Sequence, residues 1–227
     1  MMRGFKNLSV AGKLLLAGGA VTGTLLLLAA GAVSQNTRSV AHGLSYDYAE
    51  ALSESAVSSV SGRIGGADTA ARAIAEMIGT AHESGVRDRR TIMNMLKPAA
   101  TATPLVTGSW FMAAPGAFDG MDAAMAGRTD LGSNASGYFT PYWVNDGSKI
   151  SMQPLNSADD YSQPYYVQPF TTGKPVLNEP YPYEVSGKMV LMTSIAYPVR
   201  SGGRVIGVAG VDLALDGLSS MLGEMKP

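Results

Sequence analysis

A run of twenty uncharged residues near the amino terminus, Leu14 to Val33 (LLLAGGAVTGTLLLLAAGAV), is the strongest constraint on how this chain can fold. At 1.5 Å per helical residue the run is about 30 Å long, which is the thickness of the hydrocarbon core of a bilayer. Its preceding charges are all basic, and acidic residues appear only after it: Arg3, Lys6 and Lys13, then Asp47, Glu50 and Glu54. Because basic flanks stay in the cytoplasm, the pattern predicts a cytoplasmic N-terminus over residues 1–13, a transmembrane helix over residues 14–33 and a periplasmic remainder from residue 34.

The same run has a second interpretation as a cleaved signal peptide, since Ala30-Gly31-Ala32 resembles a small-x-small cleavage site. The apolar run is longer than the usual signal core of about 7–15 residues, so the uncleaved anchor is favoured. Gly19-Ala-Val-Thr-Gly23 is a GxxxG pattern, which either brings two such helices together or reflects the general abundance of small residues in membrane helices.

Residues 34–104 have helical character. Apolar residues recur at roughly helical spacing from Val40 to Ile64, which predicts one long stalk helix with a weak point at Gly65-Gly66. A second helical segment, RDRRTIMNMLKPAATATP, follows Gly85 and ends near Pro98, because proline interrupts a helix.

From about Val106 the period of the pattern changes, and residues 105–222 are predicted to form an α+β module. Five short runs rich in aromatic and β-branched residues predict five strands with antiparallel neighbours: VTGSWFMAAPG, GYFTPYWVNDG, EPYPYEVSG, KMVLMTSIAYPV and GRVIGVAGVDL. Ser186-Gly187 and Ser201-Gly202-Gly203 predict tight hairpins. The Tyr-, Gln- and Pro-rich stretch over residues 155–172 is predicted to be a loop or short helix that covers one face of the sheet.

Several kinds of chemistry are not supported by this sequence. The chain has no cysteine, a net charge of −1 and only two histidines, His42 and His82, which are predicted to be solvated helix residues. Asp119 and Asp122 are better explained as turn residues than as a catalytic pair, because Asp-Gly is a common turn dipeptide. The glycines of GGRVIGVAG are better explained by close backbone packing than by phosphate binding. We therefore expect no enzyme activity, no cofactor, no metal site and no nucleic-acid partner.

Aromatic residues are concentrated in the predicted sheet, where 14 of the 17 lie between Trp110 and Tyr197. Tyrosine suits the wall of a small-ligand pocket, and several rings around a cation can hold an ammonium group. Asp212 follows the run Val205 to Val211, and a buried carboxylate there would need a partner; it either contacts a ligand or caps the next helix. The candidate ligand-binding residues are Trp110, Tyr142, Trp143, Tyr161, Tyr165, Tyr166, Tyr181, Tyr183 and Asp212.

These pieces resemble the double Cache sensor domain of bacterial methyl-accepting chemotaxis proteins. The resemblance is carried by NLSVAGKLLL, GSWFMAAPGAFDGMD, GYFTPYWVNDG, TTGKPVLNEPYPYEVSGKMVLMTSIAYPV and GRVIGVAGVDLALDGL. It implies a stalk helix followed by two PAS-like modules, of which residues 105–222 would be the membrane-distal, ligand-holding one. Residues 223–227 would begin a membrane-proximal module, so we expect the sequence to stop at the junction, before any cytoplasmic signalling part.

The resemblance also suggests a ligand class. Amino-acid-binding members resemble an R-x-W-Y stretch followed by E-P-Y-x-D and the strand-end aspartate. Here Gln163 replaces the arginine and Tyr183 replaces the first aspartate, while Asp212 matches. Losing the guanidinium removes bidentate carboxylate binding, so a cationic or quaternary amine fits better than an α-amino acid.

The expected partners are a small-molecule ligand, a second copy in a homodimer and, only through a cytoplasmic part absent here, chemotaxis signalling proteins. Two other functions stay open: the input of a histidine kinase or cyclic-dinucleotide enzyme, and a free-standing membrane-anchored binding protein.

Overall fold

The computed structural model describes residues 22, 26–27, 50–51, 53–55, 57–156, 159–185 and 187–215. The chain divides into two compact units, Met1–Ser55 and Ala56–Pro227, and the fold below is that of the second unit. No helix among the described residues is both long enough and apolar enough to cross a bilayer. The predicted transmembrane segment over residues 14–33, apart from residues 22, 26 and 27, and the end of the chain over residues 216–227 lie outside the described residues.

Among the described residues from 57 onward, two α-helices precede the sheet. Helix α1 covers residues 57–83 and continues through Gly65-Gly66 without a break, so the predicted weak point is wrong. Glycine at position 66 instead permits close packing, because a Cβ there would lie 2.8 Å from Thr103 Cγ2. Helix α2, Arg89–Leu96, begins at Asp88, whose carboxylate accepts a hydrogen bond from the Thr91 N–H at 3.0 Å. A 3-10 helix, Lys97–Thr101, follows.

The sheet has seven strands rather than the predicted five. They are β1 Val106–Ala113, β2 Pro141–Asn145, β3 Ile150–Pro154, β4 Val176–Leu177, β5 Tyr181–Val185, β6 Lys188–Ser201 and β7 Arg204–Ala214. Their order is β3-β2-β1-β7-β6-β4, with β5 also paired to β6, and all pairs are antiparallel. The two strands that were not predicted are β3, which is only half buried, and β4, which has two residues.

Both predicted hairpins are confirmed. Strands β5 and β6 are joined through a turn that contains Gly187 at φ 81°, and β6 and β7 are joined through Gly202-Gly203 at φ 57° and 78°. Glycine adopts these left-handed values without the penalty that a Cβ imposes.

Alternation along the strands gives the sheet two buried faces, because successive side chains point to opposite sides. Phe111, Val211 and Leu213 pack with α1 and α2 on the helical face, which also buries Ala67, Ala71, Ile74 and Ile78 of α1. Trp110 and Val208 belong to the opposite face.

The second face is covered by the stretch over residues 155–172, as predicted. A 3-10 helix, Asp160–Ser162, leads into helix α3, Pro164–Thr172, which ends at Gly173. Tyr165 and Tyr166 of α3 are buried against the sheet. We call this side the ligand face, since all but one of the candidate ligand-binding residues lie on it.

A long connection between β1 and β2 contains two further 3-10 helices, Asp122–Met125 and Thr129–Leu131. It is fixed by Arg89, which is 3% exposed and donates to Asp119 Oδ2 at 2.8 Å and Oδ1 at 2.9 Å. The same guanidinium reaches Asp122 Oδ1 at 3.2 Å and Ser133 Oγ at 2.6 Å. These contacts tie α2 to the β1–β2 connection.

Candidate functional site

Asp212 lies inside β7 on the ligand face and is 4% exposed. The indole N–H of Trp110 donates to Asp212 Oδ1 at 2.9 Å, and the hydroxyl of Ser194 donates to the same oxygen at 2.6 Å. No described residue makes a regular hydrogen bond to the other carboxylate oxygen, Oδ2. The strand continues to Ala214 beyond this position, so Asp212 is not a helix cap, and its contact with a ligand stays a prediction.

Two glycines allow aromatic rings to lie against the sheet beside this carboxylate. A Cβ on Gly210 would lie 2.6 Å from Trp110 Cζ2, and one on Gly108 would overlap the ring of Tyr142. Gly108 pairs with Asp212 in the β1–β7 register, so the two rings flank the carboxylate from the neighbouring strand and its partner β2. The glycines in GVAGVDL therefore serve close packing, as the sequence predicts.

A chain of hydroxyl groups connects Asp212 to a stacked tyrosine pair. The Tyr181 and Ser194 hydroxyls are 2.6 Å apart. Because the single Ser194 proton is donated to Asp212, Tyr181 is the donor to Ser194. The Tyr181 ring stacks on Tyr165 with centroids 5.4 Å apart and an interplanar angle of 28°. Tyr165 also contacts Trp110 edge-on at 5.6 Å, which closes the ring of aromatic groups.

The stacked pair separates a small inner cavity from a larger outer groove. The inner cavity has a volume of about 10 Å³ and is lined by Trp110, Leu155, Tyr165, Tyr181, Tyr183 and Asp212. That is close to the minimum room for a single water molecule. The outer groove has a volume of about 400 Å³ and is lined by Gln163, Pro164, Tyr165, Gln168, Leu177, Asn178, Glu179, Pro180 and Tyr181. Neither lining includes a lysine, arginine or histidine among the described residues.

The electrostatics of the inner cavity are those of a buried acid among neutral phenols. Burial raises the pKa of the Asp212 carboxyl above its ordinary value, and the hydrogen bonds from Ser194 and Trp110 oppose that shift only in part. The Tyr142 hydroxyl also lowers this pKa, although it lies outside regular hydrogen-bond geometry and has no partner among the described residues. Burial, followed by the charge of Asp212, raises the pKa values of Tyr142 and Tyr181, so both phenols stay protonated.

A second buried carboxylate, Asp160, was not predicted from the sequence. It is 2% exposed and accepts a hydrogen bond from the Tyr165 hydroxyl at 2.8 Å and a long one from Tyr183 at 3.4 Å. Burial, followed by the charge of Asp160, raises the pKa of both phenols. The only sequence signal was an acidic pair, Asp159-Asp160, directly before the tyrosine-rich stretch.

The structure places six of the nine candidate residues at the inner cavity or directly beside it: Trp110, Tyr142, Tyr165, Tyr181, Tyr183 and Asp212. Tyr161 and Tyr166 pack on the same face but do not line the cavity; their rings meet edge-on at 4.8 Å, and Tyr161 donates to the Ala113 carbonyl at 2.7 Å. Trp143 lies on the helical face, where its indole N–H donates to the Met93 carbonyl at 2.6 Å. Neighbours along a strand cannot share a face, which separates Trp143 from Tyr142.

His82 differs from its prediction as a solvated residue. It is 8% exposed, with Nδ1 2.7 Å from the Ser201 hydroxyl and Nε2 3.0 Å from the Phe118 carbonyl oxygen, which makes Nε2 the donor. Burial lowers its pKa. The other histidine, His42, lies outside the described residues, and no group of three or more metal-ligating side chains occurs among those described.

Comparison with known proteins identifies a receptor family. A sequence model of the family described as "Methyl-accepting chemotaxis protein-like, first PDC sensor domain" matches residues 92–220. The methyl-accepting chemotaxis protein TlpQ of Pseudomonas aeruginosa is 34% identical over 144 residues, which are 59% of this chain and 20% of TlpQ. The chain thus matches about a fifth of the length of that relative.

Two solved structures share both fold and sequence with the chain. The methyl-accepting chemotaxis protein X is 35% identical with a TM-score of 0.72, over 82% of this chain and 68% of that one. The second is the extracellular domain of a protein that is described as a histidine kinase, mmHK1S-Z3. It is 30% identical with a TM-score of 0.60, over 72% of this chain and 56% of that one.

Proposed function

We propose that this chain, which belongs to the family of first PDC sensor domains of methyl-accepting chemotaxis protein-like receptors, binds a small molecule that carries an ammonium group. The chain is a periplasmic ligand-binding sensor domain of the chemoreceptor type.

The observation that carries the proposal is the chemistry around Asp212. This carboxylate is buried, the hydrogen bonds that it accepts from described residues both go to Oδ1, and aromatic rings line most of the rest of the cavity. A buried carboxylate without a countercharge is costly. An ammonium group supplies the positive charge, and one that carries N–H groups also supplies hydrogen-bond donors. Trp110 and the tyrosines add cation–π attraction of about 0.5–2 kcal/mol per contact. An anionic ligand would meet Asp212, and among the described residues no cationic side chain lines the inner cavity or the outer groove.

Binding requires the stacked pair of Tyr165 and Tyr181 to move. A cavity of about 10 Å³ has room for one water molecule, whereas even a small amine needs several times that volume. Displacing Tyr181 breaks its hydrogen bond to Ser194, and displacing Tyr165 breaks its hydrogen bond to Asp160 at the start of the covering segment. The ligand therefore changes how α3 packs on the sheet, and that change is the event that we propose is transmitted.

We propose that the output is chemotaxis, transmitted through a transmembrane helix over residues 14–33 in a homodimeric receptor. Similarity to chemotaxis receptors over most of the described fold supports this output. An alternative is a histidine-kinase output, which the 30% identity to the extracellular domain of mmHK1S-Z3 favours. Reading the source DNA past the Pro227 codon tests this choice: a chemoreceptor signalling region there would support the chemotaxis output, and a kinase region or a stop codon would contradict it.

A thermal-shift experiment on the purified chain tests the ligand class. The panel contains choline, spermidine and the zwitterion glycine betaine as ammonium-bearing probes, and acetate and succinate as anionic probes. We expect a rise in melting temperature with at least one ammonium-bearing probe and none with the acids, because ligand binding to the native state stabilises it by mass action. A response to the acids with no response to any amine would contradict the proposal.

A further inference from the structure

Asn178, at the edge of the sheet, has a buried side chain with no hydrogen-bond partner among the described residues. It is 7% exposed, and both its Nδ2 and its Oδ1 are buried and unpaired. Its backbone, in contrast, is fully engaged with β6: the N–H donates to the Ser194 carbonyl at 3.0 Å, and the carbonyl accepts from the Thr193 hydroxyl at 2.5 Å. A buried amide whose donor and acceptor are both unpaired has given up its hydrogen bonds to water without replacing them, which is destabilising, so its position calls for an explanation.

The strand register places this side chain on the ligand face. Val176 pairs with Ala196 and Leu177 with Ile195, so Asn178 follows opposite Ser194. Ser194 in turn pairs with Asp212. Directly opposed residues of antiparallel strands point to the same face, and Val176, two residues before Asn178, packs in the cluster of that face. Asn178 therefore lies in one row with Asp212, two strand spacings or about 10 Å away.

The outer groove connects the two positions. It is lined by Asn178 and by Tyr165 and Tyr181, the same stacked pair that covers the Asp212 cavity. When that pair moves, as the proposed function requires, the groove and the inner cavity become continuous. A single elongated ligand can then reach both polar positions.

We propose that Asn178 is a second ligand-recognition residue, which binds a neutral carboxamide-like group at the end of the ligand opposite its ammonium group. This inference rests on the proposed function and extends it to the far end of the ligand. A planar amide offers one donor and one acceptor side by side, which matches the free Nδ2 and Oδ1 of Asn178. A carboxylate at this end is disfavoured, because Glu179 lines the groove and no cationic side chain does so among the described residues.

Matched probes test this assignment by calorimetric titration of the purified chain. The probes are 5-aminopentanamide, 5-aminopentanoate, in which a carboxylate replaces the amide, and hexylamine, which has an apolar end of similar size. We expect 5-aminopentanamide to bind at least about tenfold more tightly than either of the others, since a hydrogen-bonded pair at a buried site is worth about 1.4 kcal/mol or more. The Asn178→Leu variant should lose that advantage while its affinity for hexylamine stays within about twofold. Equal affinities of the native chain for 5-aminopentanamide and hexylamine would overturn the inference and leave the proposed function intact.

A second measurement does not depend on any probe. If Asn178 is held unpaired for a ligand, Asn178→Leu should raise the melting temperature of the chain alone by about 2–4 °C, because it removes an unsatisfied amide. Asn134 is the control: it is 8% exposed, and its Oδ1 accepts from the N–H groups of Ser136 and Tyr138, each at 3.0 Å. Asn134→Leu should lower the melting temperature.

A fall in melting temperature for Asn178→Leu similar to that for Asn134→Leu would assign Asn178 a structural role and overturn the inference. If no ammonium probe binds, the proposed function fails, and this stability comparison still decides the role of Asn178.

Discussion

Replacing Asp212 by asparagine should make the domain more stable and greatly weaken its binding of the ligand. Asparagine has nearly the same shape, and its Oδ1 can keep both hydrogen bonds, from Trp110 at 2.9 Å and from Ser194 at 2.6 Å. Its Nδ2 group can also donate to the Tyr142 hydroxyl, which has no partner among the described residues. The substitution therefore removes the charge and leaves the packing in place.

The expected gain in stability follows from the cost of the buried charge. Relieving one incompletely solvated charged group is worth about 1–3 kcal/mol at neutral pH. For a domain of this size that corresponds to roughly 2–12 °C in melting temperature. Removing one partner of a buried ammonium–carboxylate pair, in contrast, costs about 2–5 kcal/mol of binding free energy, so we expect affinity for an ammonium ligand to fall by a factor of about 30 or more.

The two effects of Asp212 should have opposite pH dependence. Burial raises the pKa of this carboxyl in the folded state, so its stabilising contribution is present in acid and is lost as the pH rises through the folded-state pKa. The difference in melting temperature between Asp212→Asn and the native chain should therefore be small near pH 4 and grow towards pH 7. Ligand affinity of the native chain should instead increase from pH 4 towards pH 7, because only the ionised carboxylate attracts the ammonium group.

Differential scanning fluorimetry from pH 4 to pH 8, together with calorimetric titration of the ligand found by the panel, measures both quantities. Comparing the variant with the native chain at each pH cancels the contributions of the other titrating groups. An Asp212→Asn variant that melts at a lower temperature at pH 7, or that retains native ligand affinity, would refute this account of the site.

Three further predictions concern the framework around the site. Gly210→Ala should destabilise the domain by about 1–3 kcal/mol in urea unfolding, because the new Cβ would lie 2.6 Å from Trp110 Cζ2 and 2.7 Å from the Ile195 carbonyl oxygen; native stability would show that the strand can yield there. Arg89→Leu should cost about 3–5 kcal/mol in the same assay, since it leaves buried Asp119 unpaired, whereas Arg90→Leu breaks only an exposed ion pair and should cost less than about 1 kcal/mol. Trp143→Phe should cost about 1 kcal/mol of stability through the lost hydrogen bond to Met93 and leave ligand affinity unchanged; a large loss of affinity would contradict its position on the helical face.

Local patterns in the sequence predicted much of the fold. The β-branched and aromatic runs predicted β1, β2, β5, β6 and β7, and the glycine-containing turns predicted both hairpins. These features depend on neighbours within a few residues, so they are visible in the sequence. Strands β3 and β4 were missed because edge strands are short and only partly buried, and therefore carry a weak pattern.

The sequence predicted which types of residue lie together at the candidate site, and only in part which individual residues do so. An acid at position 212 and a surplus of tyrosine predicted a carboxylate among rings, which the fold brings together. Sequence alone placed Trp143 with Tyr142, although alternation sends adjacent strand residues to opposite faces and only the tertiary structure shows which face holds the site. Asp160 gave only the weak signal of an acidic pair and Asn178 gave none, since the burial of both and the unpaired amide of Asn178 are properties of the packed chain.

The sequence by itself determined the residue types, the strands with strong alternation and the turns between them, because these follow from short-range sterics and side-chain polarity. The tertiary structure alone decided the strand register, and through it the row that joins Asn178, Ser194 and Asp212 across β6 and β7. Those three positions lie 16 and 18 residues apart along the chain. They come together through backbone pairing between segments that are distant in the sequence. The register of that pairing is fixed only when both faces of the sheet are buried at once.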